Sequence, residues 1–142
     1  MRLTTPRTAA ALVLALGLVA ACTPASDQPS AEQALCDALA AFNDSVQAIT
    51  DLDPATDSVE DLQAAADTAQ EQWAAVQTAV AAVDEADEAA VEAAWTDLAQ
   101  QISDFSTDIP VSDALAEVGA GVDEVQGAYD EMRDGLGCEA GS

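Results

Sequence analysis

The stretch "VDEADEAAV", residues 83 to 91, decides whether this chain folds into three helices or four. It contains no glycine or proline, so its composition alone would let one helix continue through it. The apolar residues at its two ends, Val83 and Val91, are eight positions apart, whereas a continuing heptad needs seven. One straight helix would therefore turn its two halves toward different faces. The slip predicts a turn near residues 84 to 88.

Apolar residues on both sides of this stretch recur at alternating spacings of three and four, which indicates amphipathic helices in a bundle. Residues 58 to 108 as one helix would be about 75 Å long and would far outreach its neighbours. The pattern predicts an all-α fold, an up-down-up-down four-helix bundle. The four apolar sets are Leu35, Leu39, Phe42, Val46 and Ile49; Val59, Leu62, Ala66, Ala69, Trp73, Val76, Val80 and Val83; Val91, Trp95, Leu98, Ile102, Phe105 and Ile109; and Leu115, Val118, Val122, Val125, Tyr129, Met132 and Leu136.

Capping residues and loop residues predict where the helices begin and end. Serine and aspartate are preferred N-caps, glycine is preferred just past a helix, and residues 50 to 58 have the Asp and Pro content of a loop. The predicted boundaries are Ser30 with Gln33, Asp57 with Glu60, and Ser112 after Pro110 for helix starts, and Gly135 and Gly137 for the end of the last helix.

Composition limits the function classes. The 142 residues suit one domain, and half of them are hydrophobic, although aromatics are only 4%. The chain has 27 acidic residues and 3 basic ones, with no lysine or histidine. Such a charge excludes nucleic-acid binding and direct docking of the folded part on an anionic membrane. It favours solubility outside the cell, with specific cation binding as the alternative.

Residues 1–21 have the three parts of a secretory signal. Arg2 and Arg7 form a basic region, an apolar core runs from Ala9 to about Ala20, and small residues follow. That core is shorter than the ~20 residues of a spanning helix. We expect residues 1–21 to be a cleaved signal peptide, 22–30 a flexible tether and 31–142 the helical bundle domain.

The signal ends in Val19-Ala20-Ala21-Cys22, which resembles the lipobox of bacterial lipoproteins. In that family the cysteine receives a diacylglycerol, the signal is cut just before it, and acyl chains such as palmitate hold the protein on the membrane. The resemblance implies lipidation of Cys22 and a lipid anchor on the extracytoplasmic face of the cell membrane. The rest of the chain resembles the small, acidic, alanine-rich lipoproteins of actinobacteria. Ordinary cleavage after Ala21, leaving Cys22 as a free thiol, is the alternative.

With Cys22 assigned to lipid, Cys36 and Cys138 remain, and an exported chain can join them. A four-helix bundle places both at one end, whereas three helices would place them at opposite ends. Closing a loop of about 100 residues would stabilise the fold by roughly 4 to 5 kcal/mol. The alternative, a redox or metal pair, lacks a CxxC spacing and any histidine.

Chemistry-bearing residues are few. Without histidine or lysine, the usual general bases and nucleophiles are missing, so we expect a non-enzyme without cofactors. Asp51, Asp53, Asp57 and Glu60 are weak candidates for a divalent cation such as calcium, but they lack the glycine and final glutamate of an EF-hand loop. Acids at helix starts also interact favourably with the helix dipole without a metal.

Aromatic residues and glycines on the apolar stripes each allow two interpretations. Trp73, Trp95 and Tyr129 favour core packing over ligand stacking, and a turn at 84 to 88 places the two tryptophans at similar depth. Glycines within a helix favour a close approach of another helix, with a shallow groove or a mobile helix as the alternative. These glycines are Gly119, Gly121 and Gly127.

We therefore expect a non-enzymatic cell-surface lipoprotein, an interaction or envelope-associated module with an envelope protein as its partner. The alternative is a binding protein that holds a cation or small ligand in its acidic helical bundle.

Overall fold

A computed structural model describes the backbone of residues 28–83 and 86–138, and the side chains of residues 31–83 and 86–138. All regular structure in these ranges is helical, which confirms the predicted all-α class. The helices are α1 (Gln28–Thr50), α2 (Val59–Val80), α3 (Ala89–Ser103) and α4 (Val111–Leu136).

The predicted interruption between the second and third helices is confirmed. α2 ends at Val80, and the Ala82 and Val83 amides donate turn hydrogen bonds to the carbonyls of Ala79 and Val80, at 3.1 and 2.9 Å. Val83 has left the helix but stays buried, because the turn folds it back onto the core. The break begins three residues earlier than residue 84. Residues 84 and 85 lie outside the described ranges.

The four helices form the predicted up-down-up-down bundle. α1 packs along α2, α3 packs along α4, and α1 also packs against α4. We call the α1–α4 side the closed side. α2 and α3 approach each other only weakly, and we call the α2–α3 side the open side. The bundle thus consists of two tight helix pairs joined firmly along one side.

The core follows the predicted stripes with changes near the ends of α2, α3 and α4, where Val80 and Leu136 are only partly buried. All five predicted residues of α1 are fully buried. On α4 the buried set begins with Val111 and Ala114, whereas Leu115 is half-buried. The helix starts one turn before Leu115, and Ala114 lies four residues before Val118 on the inward face. Phe105 and Ile109 lie beyond α3 and are partly buried.

The start of α2 is one residue later than predicted. Ser58, not Asp57, is the N-cap, and it forms a capping box with Asp61, whose carboxylate accepts from the Ser58 amide at 2.9 Å and hydroxyl at 2.7 Å. The side-chain hydrogen bond from Ser58, followed by the backbone one, lowers the pKa of Asp61 below 3.8. The carboxylate of Asp57 instead accepts from the amide of Asp53 at 2.7 Å, inside the loop.

The other predicted helix ends were right in part. α1 begins at Gln28, so Ser30 lies within the helix and the last three residues of the expected tether are helical. α4 has Pro110 as its N-cap, which places Ser112 inside the first turn. At the other end, Gly137 is the C-cap with a left-handed φ of 66°, as predicted, because glycine adopts that conformation without strain. Gly135, the other predicted end, lies inside α4.

A disulfide joins Cys36 to Cys138 and confirms the predicted pairing. The two Cα atoms are 5.7 Å apart, within the usual range for the bond. The bond ties α1 to the residue that follows the glycine cap of α4, on the closed side. The two cysteines therefore meet at one end of the bundle, as a four-helix arrangement requires.

Candidate functional site: the groove between α2 and α3

The open side contains a groove of about 340 Å³, which we call the α2–α3 groove. Alanines contribute to both of its walls, and because their side chains are short, the space between the two helices is left unfilled. The lining residues are Gln63, Ala66, Asp67 and Gln70 of α2 and Ala99, Ile102 and Ser103 of α3.

Three aromatic rings fill the interior between these two helices. Phe42 of α1 lies 5.3 Å from Trp73 in a tilted arrangement and 5.4 Å from Trp95 in an edge-to-face arrangement, measured between ring centroids. Both tryptophans are almost fully buried, so the prediction of core packing at similar depth is confirmed. The predicted burial of Tyr129 is confirmed as well.

Two side-chain hydrogen bonds connect α2 to the α3 region across the open side. The indole Nε1 of Trp95 donates to the side-chain oxygen of Gln70 at 2.8 Å, which satisfies a donor that burial would otherwise leave unpaired. The side-chain amide of Gln63 donates to the backbone carbonyl of Phe105 at 3.4 Å. Both glutamines line the groove, so its polar rim is partly fixed in place.

Asp67 is the one charged side chain among the groove's lining residues, and it is exposed. It follows Ala66 on α2, and the α3 wall of the groove carries the half-buried Ala99 and the almost fully buried Ile102. An ionised carboxylate accepts hydrogen bonds and donates none. The groove therefore combines a small apolar surface with a polar rim that carries negative charge.

The weak cation candidates of the α1–α2 loop are not brought together as a metal site. Asp53 Oδ1 accepts from the Ala55 amide at 2.8 Å, and Asp57 is bonded to the Asp53 amide, while Asp51 and Glu60 are exposed. Across residues 28–83 and 86–138, no group of three or more His, Cys, Asp or Glu residues is arranged to hold a metal.

The glycines of α4 differ in their surroundings. A Cβ added at Gly121 would lie 3.0 Å from Cδ1 of Leu98 on α3, so this glycine does permit the predicted close approach of two helices. Added atoms at Gly119 and Gly127 would meet nothing within 4 Å. The α2–α3 groove is lined by none of these three glycines, so it is not the groove that they were expected to form as the alternative.

Sequence reasoning missed the polar residues of the α2–α3 groove. Gln63, Asp67 and Gln70 flank the α2 stripe and look like any other solvated flank. The available signal was alanine at two successive core positions of α2, Ala66 and Ala69, where the other stripes carry larger residues. Small core residues indicate either an unfilled space or a close approach between two helices. They do not show between which two helices of the bundle a groove will form.

Comparisons of the chain with protein-family models, curated proteins and solved structures found no match. None of the helices in the described part of the chain has an apolar stretch long enough to cross a bilayer. The predicted signal peptide and the predicted lipidation site at Cys22 lie outside the described residues.

Proposed function

We propose that this protein is a non-enzymatic lipoprotein whose bundle acts as an interaction module, held on the extracytoplasmic face of the cell membrane by lipid on Cys22. The Cys36–Cys138 disulfide carries the proposal. Such bonds persist in oxidising compartments, which lie outside the cytoplasm. The bond also uses two of the three cysteines, and the remaining one follows the lipobox-like residues Val19, Ala20 and Ala21.

Binding is favoured over catalysis by the chemistry of the folded part. The chain has no histidine or lysine to act as a base, and Cys36 and Cys138 are bonded to each other. The α2–α3 groove is exposed along its length and offers carboxylate, amide and hydroxyl groups beside apolar surface. Those features suit recognition of a partner surface better than enclosure of a reacting substrate.

The α2–α3 groove also favours a second candidate, a binding protein for a cation or small ligand. Asp67 would supply the charge, and the small apolar surface would take the rest of a ligand. For calcium, the test is a melting curve of the purified protein in millimolar metal against sodium chloride of matched ionic strength. A larger rise of Tm with calcium would support the metal, and equal curves would contradict it.

A fatty-acid label tests the lipid anchor. Cells that express the wild-type chain are grown with an alkyne-bearing palmitate analogue, and the recovered protein is tagged by click chemistry. We expect label on the wild type and none on Cys22→Ser. The matched control removes the other two cysteines together, Cys36→Ser with Cys138→Ser, and should keep its label. Equal labelling of the wild type and Cys22→Ser would contradict the anchor.

A further inference from the structure

We infer that the α2–α3 groove docks a basic, amphipathic segment of a partner protein. A lysine or arginine of that segment places its charged head at Asp67 and its aliphatic stem against the half-buried Ala99. Docking at this groove presupposes the proposed function, an interaction module outside the cytoplasm, and adds the chemistry of the partner.

The shape of the groove suits side chains from a segment that lies across it. Its volume of about 340 Å³ is at the lower end of ligand pockets, which run from about 300 to 1,000 Å³. It is exposed along its length, so a bound molecule keeps much of its surface in water. One or two protruding side chains can fill such a groove while the rest of the segment packs on the surfaces of α2 and α3.

The rim of the groove carries both donors and acceptors. Gln70 presents its amide N–H groups, because its side-chain oxygen already accepts from the indole of Trp95. The carboxylate of Asp67 only accepts, and Gln63 uses its amide group on the Phe105 carbonyl, which leaves its side-chain oxygen as an acceptor. Lysine and arginine heads carry only donors, and their stems cover apolar surface while the head stays hydrated. Arginine can also bind a carboxylate with two parallel hydrogen bonds. The groove thus offers acceptors to the charged head of a basic side chain and apolar surface to its aliphatic stem.

The charge of the whole chain favours a cationic partner over the other occupants. After Cys22 the sequence has all 27 acidic residues and one basic residue, Arg133, which is not among the residues of the groove. A second copy of the chain, a nucleic acid or an anionic lipid surface would be repelled. A basic segment would instead be steered toward the protein, and the groove would supply the position where it docks.

Peptide binding to the full chain tests the groove. The protein is purified in mild detergent from whole cells together with their medium, so that its recovery does not depend on the anchor. It is titrated into a fluorescein-labelled helical peptide of arginine, leucine and alanine, with fluorescence anisotropy as the readout. A second peptide with glutamate in place of arginine should not bind. Each variant is first checked for the helical circular dichroism and melting transition of the folded bundle.

Two pairs of variants separate the groove from the general negative charge. Asp67→Asn should raise Kd by about fivefold, the upper range for an exposed ion pair, while Asp97→Asn, which removes an exposed charge elsewhere on α3, should stay within about twofold. Ala99→Leu fills the groove and should weaken binding by about tenfold or more. Ala93→Leu, at an exposed position outside the groove, should leave Kd unchanged.

Equal weakening by Asp67→Asn and Asp97→Asn would overturn the proposal, because the peptide would then sense only the overall charge. Unchanged binding to Ala99→Leu would overturn it as well. Displacement of the peptide by spermine at an equal concentration of positive charge would assign the groove to a polyamine instead. If the wild-type protein carries no palmitate label but still binds the peptide, only the lipid anchor is contradicted. The lipid anchor and the docking groove can therefore fail separately.

Discussion

The closed side and the open side of the bundle are built from the same kinds of helix but are held in different ways. On the closed side, α1 and α4 pack along each other and the Cys36–Cys138 disulfide joins them. On the open side, α2 and α3 are consecutive in the chain yet approach weakly. Alanines line the seam, and two hydrogen bonds cross it, one donated by Gln63 and one accepted by Gln70. Two helices that are consecutive in the sequence do not pack tightly for that reason alone, because tight packing depends on the volume of the side chains that face each other.

Removing the disulfide should lower the free energy of unfolding more than any of the other substitutions, because the disulfide is the covalent link on the closed side. The bond spans 102 residues, and its chain-entropy contribution for a loop of that length is about 4 to 5 kcal/mol. We expect Cys36→Ser with Cys138→Ser to lower the free energy of unfolding by that amount in urea titrations followed by circular dichroism. Cys22→Ser is the control and should match the wild type. Equal urea midpoints for the double variant and the wild type would contradict the prediction.

The second test removes the ring that fills the interior behind the open side. Phe42→Ala takes away the contacts with Trp73 and Trp95, and truncation of a buried phenylalanine costs about 3 to 5 kcal/mol. Unfolding curves and near-ultraviolet circular dichroism of the tryptophans measure the loss. Asn43→Ala, at the adjacent half-buried position, should change stability by less than about 0.5 kcal/mol. A loss below about 1 kcal/mol for Phe42→Ala would show that the rings pack without it.

A pair of alanine-to-leucine variants compares the two environments directly. Ala69 is fully buried on α2, so Ala69→Leu should overpack the core and cost about 1 to 3 kcal/mol. Ala99 lines the groove and is half-buried, so Ala99→Leu should change the free energy of unfolding by less than about 0.5 kcal/mol. Similar losses for both variants would mean that the open side is packed as tightly as the core.

Variants at the N-cap of α2 test how strongly this helix, which forms one wall of the open side, is stabilised by the capping of its N-terminus. Ser58→Ala removes the two hydrogen bonds of the Ser58 hydroxyl but keeps that of its amide, and it should cost about 1 kcal/mol. Ser112→Ala, inside the first turn of α4, should be nearly neutral. The folded-state pKa of Asp61 is lowered, so its contribution is present above pH 3.8 and is lost as the pH falls through the folded pKa. The difference in the free energy of unfolding between Ser58→Ala and the wild type should therefore become smaller at acidic pH. If the stability difference between Ser58→Ala and the wild type does not change with pH, the loss of stability comes from the serine hydroxyl and not from the ionised carboxylate of Asp61.

The smallest expected effect concerns the tight α3–α4 pair. Gly119→Ala has free space and should stabilise the protein by about 0.5 to 1 kcal/mol through helix propensity. Gly121→Ala makes the same backbone gain but pushes against the buried Leu98, so it should be less stable than Gly119→Ala. Thermal melts of the two variants measure the difference. Equal melting temperatures would mean that Leu98 moves aside without cost.

The sequence predicted the helices and their order because periodicity depends only on which residues face inward. The one-residue slip between Val83 and Val91 placed the break, and the cysteines agreed with the count of four. Local chemistry was less decisive, since Asp57 and Ser58 are both good caps and only the geometry selects one. The α2–α3 groove was not predictable, because an apolar stripe fixes the face of a helix and not its distance from a neighbour.

If Cys22 carries the proposed lipid, the end of the bundle that holds the disulfide would lie nearest the membrane. Five residues, 23–27, separate Cys22 from the start of α1, a reach of at most about 20 Å. α1 is about 35 Å long, and the loops at 51–58 and 104–110 lie at the end of the bundle away from Cys36 and Cys138. Residues 63–70 of α2 and 99–103 of α3 lie in the half of the bundle nearest these loops. A lipid on Cys22 would therefore hold the groove well above the head groups, where partners from outside the cell can reach it.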